Sequence, residues 1–161
     1  MNKDTVLRLS AEIQEELVLL QQIQEQANSA QARFNATPPD GLELRGVAAI
    51  LQDFYNGAEN VFKRIAGELN GGLPSGANWH VQLLRDMTLD LPGLRPAVIR
   101  QTTANQLKEY LDFRHVFRHA YGFPLQWEPI KGLLARFAAA YEPFVADVQQ
   151  FIHFLQAMSQ D

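Results

Sequence analysis

The stretch DTVLRLSAEIQEELVLLQQIQEQANSAQARF, residues 4–34, decides the fold class. Its apolar side chains recur every three or four residues, with glutamine and glutamate between them. This spacing predicts a long helix with one apolar stripe. The stripe consists of Leu9, Ile13, Leu17, Leu20, Ile23, Ala27, Ala30 and Phe34. Because a long apolar stripe must be covered, we expect an antiparallel partner helix of similar length.

That partner follows directly in the sequence. Residues 38–41, Pro-Pro-Asp-Gly, are typical of a turn, and helical apolar spacing resumes from Leu44 to Leu69. Gly57 lies inside this second helix, where it either weakens the helix slightly or permits a close crossing.

The second half of the chain continues the helical pattern. Residues 70–76 and 91–96 are rich in glycine and proline and predict loops, and Trp79–Met87 predicts a short helix between them. We expect a third main helix to start at Thr103, which has capping-box spacing to Gln106, and to stop at Gly122-Phe123-Pro124. A last helix should run from about Glu128 to Met158, with a kink at Pro143.

No stretch alternates apolar and polar residues for long enough to indicate a strand. We therefore predict an all-α protein, an antiparallel four-helix bundle with short extra helices, in which residues 1–161 form one domain.

Composition narrows the class of protein. Hydrophobic residues make up 47% of the 161 residues, as in ordinary globular proteins. The absence of cysteine excludes disulfides and thiolate metal sites and suits a reducing cytoplasm. The N-terminus lacks the apolar segment of a signal peptide, and no run is long enough for a membrane span, so we expect a cytoplasmic protein with no membrane contact.

Charge is unevenly distributed. The formal net charge is −4, which does not favour a generally basic nucleic-acid binder. Residues 71–136 nevertheless carry eight lysines and arginines against five acidic residues. An anion would be drawn to this part of the chain, although fluctuations of this size also occur by chance.

The stretch Phe113-Arg114-His115-Val116-Phe117-Arg118-His119-Ala120-Tyr121 carries the candidate chemistry. On a helix its polar side chains share one arc, and the apolar ones share the opposite arc, which predicts a core face. The polar arc consists of Arg114, His115, Arg118, His119 and Tyr121. Arg114 and His119 lie at its two edges, so a cleft formed with a second copy of the helix would bring them together most naturally.

Other chemistries have weaker support. His115 and His119 have the spacing of two zinc ligands on one helix, but no motif selects a third ligand among His80, His153 and the carboxylates. The glutamate that zinc proteases place between such histidines is absent, and the glycines at 71–76 lack the spacing of a phosphate loop. No serine or cysteine nucleophile is evident.

Arginine and histidine on one arc suit cleavage of RNA without a metal or cofactor. A histidine, with an ordinary pKa of about 6.5, can accept the proton of a ribose 2′-hydroxyl or protonate the leaving oxygen. An arginine can bind the phosphate with two parallel hydrogen bonds. DNA, which lacks the 2′-hydroxyl, would be spared.

Residues 114–121 resemble the motif of the HEPN superfamily: arginine, a polar residue, three spacers, histidine, a spacer and tyrosine. More narrowly, they look like the motif of HepT-type ribonuclease toxins. The resemblance implies that Arg114 and His119 are catalytic and that Tyr121 accepts AMP from an MNT-type nucleotidyltransferase antitoxin. It also implies a homodimer whose two motif helices form one cleft.

Two residues of the stretch have less defined roles. His115 occupies the polar position, which is often asparagine in the family, and is expected to contact substrate. Arg118 lies outside the motif, and we expect it to contact a phosphate.

Three functions follow from these observations. The first is a metal-independent endoribonuclease, the toxin of a type II toxin–antitoxin system. The second is a helical partner of a nucleotidyltransferase that does not cut RNA. The third is a structural bundle whose arginines are ordinary surface charge.

Overall fold

The computed structural model describes residues 1–122 and 124–161, so Phe123, part of the predicted helix stop, lies outside the described residues. Within these ranges the chain forms six helices and no strand. The helices are α1 (Lys3–Arg33), α2 (Gly41–Leu69), α3 (Trp79–Asp86), α4 (Gln101–Arg118), α5 (Trp127–Ala135) and α6 (Phe137–Met158). The predicted all-α bundle with short extra helices is confirmed. None of these helices has both the length and the apolarity needed to cross a bilayer.

The two N-terminal helices begin at side-chain caps. The side chain of Asn2 accepts a hydrogen bond from the Thr5 amide at 2.8 Å, which satisfies a free N–H of the first turn of α1. Asp40 and Glu43 form a capping box at the start of α2, with each side chain accepting from the other residue's amide. The turn predicted at residues 38–41 therefore ends at a defined helix start.

Helices α1 and α2 are antiparallel, as their cross-helix ion pairs show. Arg8 near the start of α1 pairs with Glu68 near the end of α2 at 3.0 Å, and Arg33 at the end of α1 pairs with Glu43 at 2.6 Å. The expected partner for the first helix is therefore α2.

The helices cross closely at Gly57. A Cβ atom at this position would lie 2.5 Å from Cδ2 and 3.0 Å from Cγ of Leu20, whose side chain is 1% exposed. Of the two roles foreseen for this glycine, the structure supports the close crossing.

The core centres on Phe54 of α2, which is fully buried. Its ring contacts Tyr110 of α4 edge-on at a centroid distance of 5.1 Å and Phe137 of α6 at 4.8 Å. The Tyr110 hydroxyl donates to the carbonyl of Leu133 in α5 at 2.7 Å, so this buried polar group is satisfied. One aromatic cluster thus joins α2, α4, α5 and α6.

The start of α4 differs from the prediction. The helix begins at Gln101, not after Thr103, and the Thr103 hydroxyl donates to the Asp147 carboxylate of α6 at 2.7 Å. The same carboxylate accepts from the Arg100 amide at 3.0 Å and from its Nε at 2.9 Å. A carboxylate from another helix therefore takes the place of a local cap, which sequence spacing cannot reveal.

The predicted last helix is two helices. The helical conformation is interrupted at Arg136, the residue between α5 and α6, whose ψ is 6°. Pro143 lies inside α6. Leu133 of α5 and Phe137 of α6, on the two sides of the interruption, both belong to the buried core. The prediction of one continuous last helix was therefore wrong, whereas the helix does continue through Pro143.

Arg95 organises the connection from α2 to α4. Its guanidinium is buried, and it donates to Asn70 Oδ1 and to the carbonyl oxygens of Asp86, Leu89 and Pro96 at 2.9–3.0 Å. One side chain thus fixes both loops that flank α3. This arrangement holds α3 beside the C-terminal half of α4.

Replacing Gly57 by alanine should lower the free energy of unfolding by about 1–3 kcal/mol, because the new methyl group overlaps the buried Leu20. Urea unfolding followed by circular dichroism would measure this loss. The matched control is Gly46→Ala, also in α2, where no atom lies within 4 Å of the added Cβ. The control should gain about 0.5–1 kcal/mol from helix propensity, and equal effects of the two substitutions would contradict the close crossing.

Candidate functional site

A groove of about 740 Å³ lies between the start of α3 and the C-terminal half of α4. Four of the five residues predicted for the site line this groove together: Arg114, His115, Arg118 and His119. The opposite wall is formed by Ala77, Asn78, His80 and Val81. The structure thus brings the arginine and histidine positions of the motif to one concave surface within a single chain.

Arg114 forms the deep part of the groove, with 4% of its surface exposed. It continues the buried stripe of α4 rather than the open polar arc on which it was predicted. Val116, predicted to face the core, is 61% exposed. The angular prediction was therefore wrong at these two positions, because packing against α2 rotates α4 so that Arg114 faces inward.

The partner of Arg114 is Glu59 of α2, which is equally buried at 4% side-chain exposure. Arg114 Nη1 lies 3.0 Å from Oε1 and Nη2 lies 3.1 Å from Oε2, a bidentate ion pair. Nη1 also donates to Asn56 Oδ1 at 3.0 Å, and the guanidinium lies 5.0 Å above the Tyr55 ring. One turn of α2 therefore surrounds the guanidinium with a carboxylate, an amide and an aromatic face.

The Glu59 carboxyl is held in its ionised form by these contacts. Burial alone pushes its pKa upward, but the hydrogen bonds from Arg114 and His80 outweigh burial, so the pKa falls below its ordinary value. The charge of Arg114 is correspondingly neutralised within the protein.

His80 of α3 joins the same network. Its Nδ1 lies 2.8 Å from Glu59 Oε2 and 2.9 Å from Arg114 Nη2, and its ring packs on Trp79 with centroids 3.6 Å apart. Lys63 of α2 lies 3.8 Å from Glu59 Oε1 and 5.1 Å from the Trp79 ring centroid. A single carboxylate from α2 therefore connects both walls of the groove.

The remaining predicted residues are solvent-exposed. His115 and His119 are neighbours on the outer side of α4, with ring centroids 4.6 Å apart, and Arg118 is also exposed. The helix ends at Arg118, so Tyr121 lies beyond it rather than on its last turn as predicted, and is 96% exposed. Gly122 has the positive φ, 79°, expected of a glycine after a helix end.

The zinc alternative has no further support in the described part of the chain. Over residues 1–122 and 124–161, no three histidine, aspartate or glutamate side chains are grouped to hold one metal ion. His80 faces Glu59 and Arg114 in the groove, and no contact joins it to the pair His115 and His119.

The sequence did not identify two groups of the site, Glu59 and His80. His80 was considered only as a third zinc ligand, and Glu59 was not singled out. A signal existed for Glu59, because it occupies a core position in the apolar pattern of α2, between Tyr55 and Phe62. A charged residue at such a position is seldom fully buried without a charged partner.

The fold and groove define a helical-bundle protein whose arginine–histidine groove lies at the end of its third main helix. The model of the HepT-like protein family matches residues 46–155, from α2 to α6, and includes every residue of the groove. The chain therefore belongs to the HepT-like family of the HEPN superfamily, as its motif had indicated. No curated protein and no solved structure matches the chain significantly.

Replacing Arg114 by alanine should lower the free energy of unfolding by about 3–5 kcal/mol near neutral pH, because buried Glu59 loses its bidentate partner and keeps only His80 and the more distant Lys63. Urea unfolding would measure the loss. The double variant Arg114→Met with Glu59→Gln should lose clearly less, because it leaves no unpaired charge. A double variant as unstable as Arg114→Ala would contradict this explanation.

The difference between wild type and Arg114→Ala should also shrink in acid. In the wild type the stability supplied by ionised Glu59 is complete above its ordinary pKa of 4.5 and is lost as the pH falls through the lowered folded-state pKa. In the variant, protonation of Glu59 removes the buried charge that has lost its bidentate partner. Urea unfolding at about pH 7 and about pH 3 would measure this difference. If the free energies of unfolding of wild type and Arg114→Ala differ by the same amount at both pH values, the role of the ion pair is contradicted.

Proposed function

We propose that the protein is a metal-independent endoribonuclease, the toxin of a type II toxin–antitoxin system in the cytoplasm. We further propose that a nucleotidyltransferase antitoxin neutralises it by transferring AMP to Tyr121. The observation that carries the proposal is the common groove of Arg114, His115, Arg118 and His119 in a HepT-like bundle.

The exposed part of the groove has the groups that bind and cleave an RNA phosphodiester. His119 exchanges a proton with the ribose 2′-hydroxyl or with the leaving oxygen. Arg118 and His115 are exposed on the same wall, where they contact the phosphates on either side of the scissile bond. The 2′-oxygen of the RNA is the nucleophile, so the protein needs no nucleophile of its own.

Arg114 acts from the deep part of the groove. Its bidentate pair with Glu59 holds the guanidinium in one orientation before substrate arrives, which avoids an ordering cost during the reaction. Both Nη atoms contact Glu59, so the Nε–H group is the guanidinium donor that we propose for the charge on the phosphorane oxygens. The catalytic pair is thus a fixed, buried arginine and an exposed histidine.

A homodimer formed across the motif helices fits the exposed apolar residues of the groove. Val116 of α4 and Val81 of α3 are 61% and 45% exposed, respectively, on the two walls. A second copy that covers these side chains would remove apolar surface from water and join two grooves into one cleft. RNA would then contact residues of both copies.

Tyr121 is the proposed acceptor of AMP because an incoming enzyme can reach it. Its side chain is 96% exposed beyond the end of α4, two residues from His119. The phenolic oxygen would attack the α-phosphorus of ATP, and pyrophosphate would leave. The attached nucleotide adds negative charge and bulk beside the groove and so blocks RNA.

RNA digestion in excess chelator tests the ribonuclease. His119→Ala should reduce the cleavage rate about 10²–10⁴-fold, because it removes a proton-transfer group without disturbing a buried contact. The matched control is His153→Ala, an exposed histidine of α6. Equal activity of wild type and His119→Ala would remove His119 from the mechanism.

AMP transfer has its own test. Incubation with the partner nucleotidyltransferase and ATP should add the mass of one AMP to the wild-type chain and none to Tyr121→Phe, which lacks the phenolic oxygen. Intact-protein mass spectrometry would measure the gain. Labelling of Tyr121→Phe at the same stoichiometry would show that another residue is the acceptor.

A second candidate function is a non-catalytic binding partner of the nucleotidyltransferase. The observation that favours it is the pairing of Arg114 with Glu59, which occupies both arms of the guanidinium that would bind phosphate. A toxin should arrest growth when expressed alone and be rescued by its partner. Harmless expression of the folded protein would favour the binding partner.

A further inference from the structure

We infer that His80 is a second catalytic residue, the general base that accepts the 2′-hydroxyl proton, with Glu59 as its positioning residue. The inference rests on the proposed ribonuclease function and deepens it. Cleavage through the 2′-oxygen proceeds with the help of a base and an acid. The α4 side of the groove carries His115 and His119 next to each other, and the opposite wall carries His80, whose ring is held by a buried carboxylate.

The carboxylate–imidazole pair has the geometry of an orienting dyad. Nδ1 of His80 lies 2.8 Å from Oε2 of Glu59, whose carboxylate is buried and ionised. A proton on Nδ1 makes this contact a charge-assisted hydrogen bond. The other nitrogen, Nε2, then carries the lone pair that a general base requires.

The contact with Arg114 does not reverse this assignment. Nη2 of Arg114 lies 2.9 Å from the same Nδ1, so a proton on Nε2 would let Nδ1 accept from the arginine. That tautomer places a nitrogen lone pair 2.8 Å from an ionised carboxylate oxygen, which is repulsive in a buried site. Arg114 keeps both of its hydrogen bonds to Glu59 when Nδ1 is protonated.

His80 is accessible to substrate, although its partner is not. Its side chain is 29% exposed and lines the groove, whereas that of Glu59 is 4% exposed. Across the described residues, 1–122 and 124–161, no protein group forms a hydrogen bond with Nε2. The dyad is therefore anchored at its buried end and open at the end that faces the groove.

His119 is suited to the complementary task. It follows directly after the last residue of α4 and lines the wall of the groove opposite His80. An imidazolium at this place is a general acid. The two walls of the groove thus carry a base on α3 and an acid at the end of α4.

The reaction balances with these two groups. Nε2 of His80 takes the proton of the ribose 2′-hydroxyl, and the 2′-oxygen forms a bond to phosphorus. The bond between phosphorus and the 5′-oxygen breaks, and His119 protonates that oxygen. The products are a 2′,3′-cyclic phosphate and a 5′-hydroxyl, and a proton must return from His80 to His119 through water before the next cycle.

His80→Asn is the decisive variant, because an asparagine amide can keep the hydrogen bond to Glu59 while Nε2 is lost. Cleavage of a short oligoribonucleotide in excess EDTA should fall about 10²–10⁴-fold in kcat, with KM changed far less. His153→Ala is the control and should cleave at the wild-type rate. His80→Ala should be as inactive as His80→Asn.

The pH profile separates a catalytic from a structural role. The acid limb of kcat/KM should disappear in His80→Asn, and the basic limb should disappear in His119→Ala. Other charged and titratable groups lie beside His80 on the two helices packed against α3. On α2 they are Glu59 and Lys63, and on α4 and its end they are Asp112, Arg114, His115, Arg118 and His119. A profile in His80→Asn with both limbs intact would overturn the assignment.

The nitrogen-15 chemical shifts of the His80 ring give a readout that does not depend on activity. The wild type should carry its neutral-state proton on Nδ1, and a proton on Nε2 would overturn the dyad. Chelator-resistant cleavage that persists in His80→Asn and is lost in His119→Ala would overturn the role of His80 alone. No cleavage by the wild type would overturn both the role of His80 and the proposed function.

Discussion

The buried ion pair between Arg114 and Glu59 is the constraint on which the groove depends. Two opposite charges, each 4% exposed, lie between α2 and α4, and each needs the other to offset its desolvation. The bidentate geometry constrains the orientation of the last turns of α4 against α2. That orientation turns His115, Arg118 and His119 outward, where they can meet a ligand.

The same carboxylate also accounts for the position of α3. Glu59 Oε2 contacts Nδ1 of His80, and Arg95 fixes the loops on both sides of this short helix. The groove is therefore not an incidental gap between two helices. Both of its walls are connected to one side chain of α2, the Glu59 carboxylate.

Much of the fold was predictable because a helix is indicated by the spacing of apolar residues within its own stretch of sequence. The stripe of residues 4–34, the turn before Gly41 and the second helix were correct, and Gly57 permits the close crossing. The errors occurred where distant residues intervene. Asp147 replaces a local cap at the start of α4, and the last helix, predicted as continuous, is interrupted at Arg136 next to the buried Phe137.

The sequence by itself determined the helical class and the arginine–histidine motif, and both agree with membership in the HepT-like family. Helical periodicity and a contiguous motif are short-range properties of the chain, so they can be read from neighbouring residues. Only the tertiary structure decided which polar side chains face the core. Arg114 contacts Glu59 and His80, which are far from it in sequence. A buried charge requires a partner of opposite charge or a hydrogen bond, and the fold rather than local spacing determines which residue supplies it.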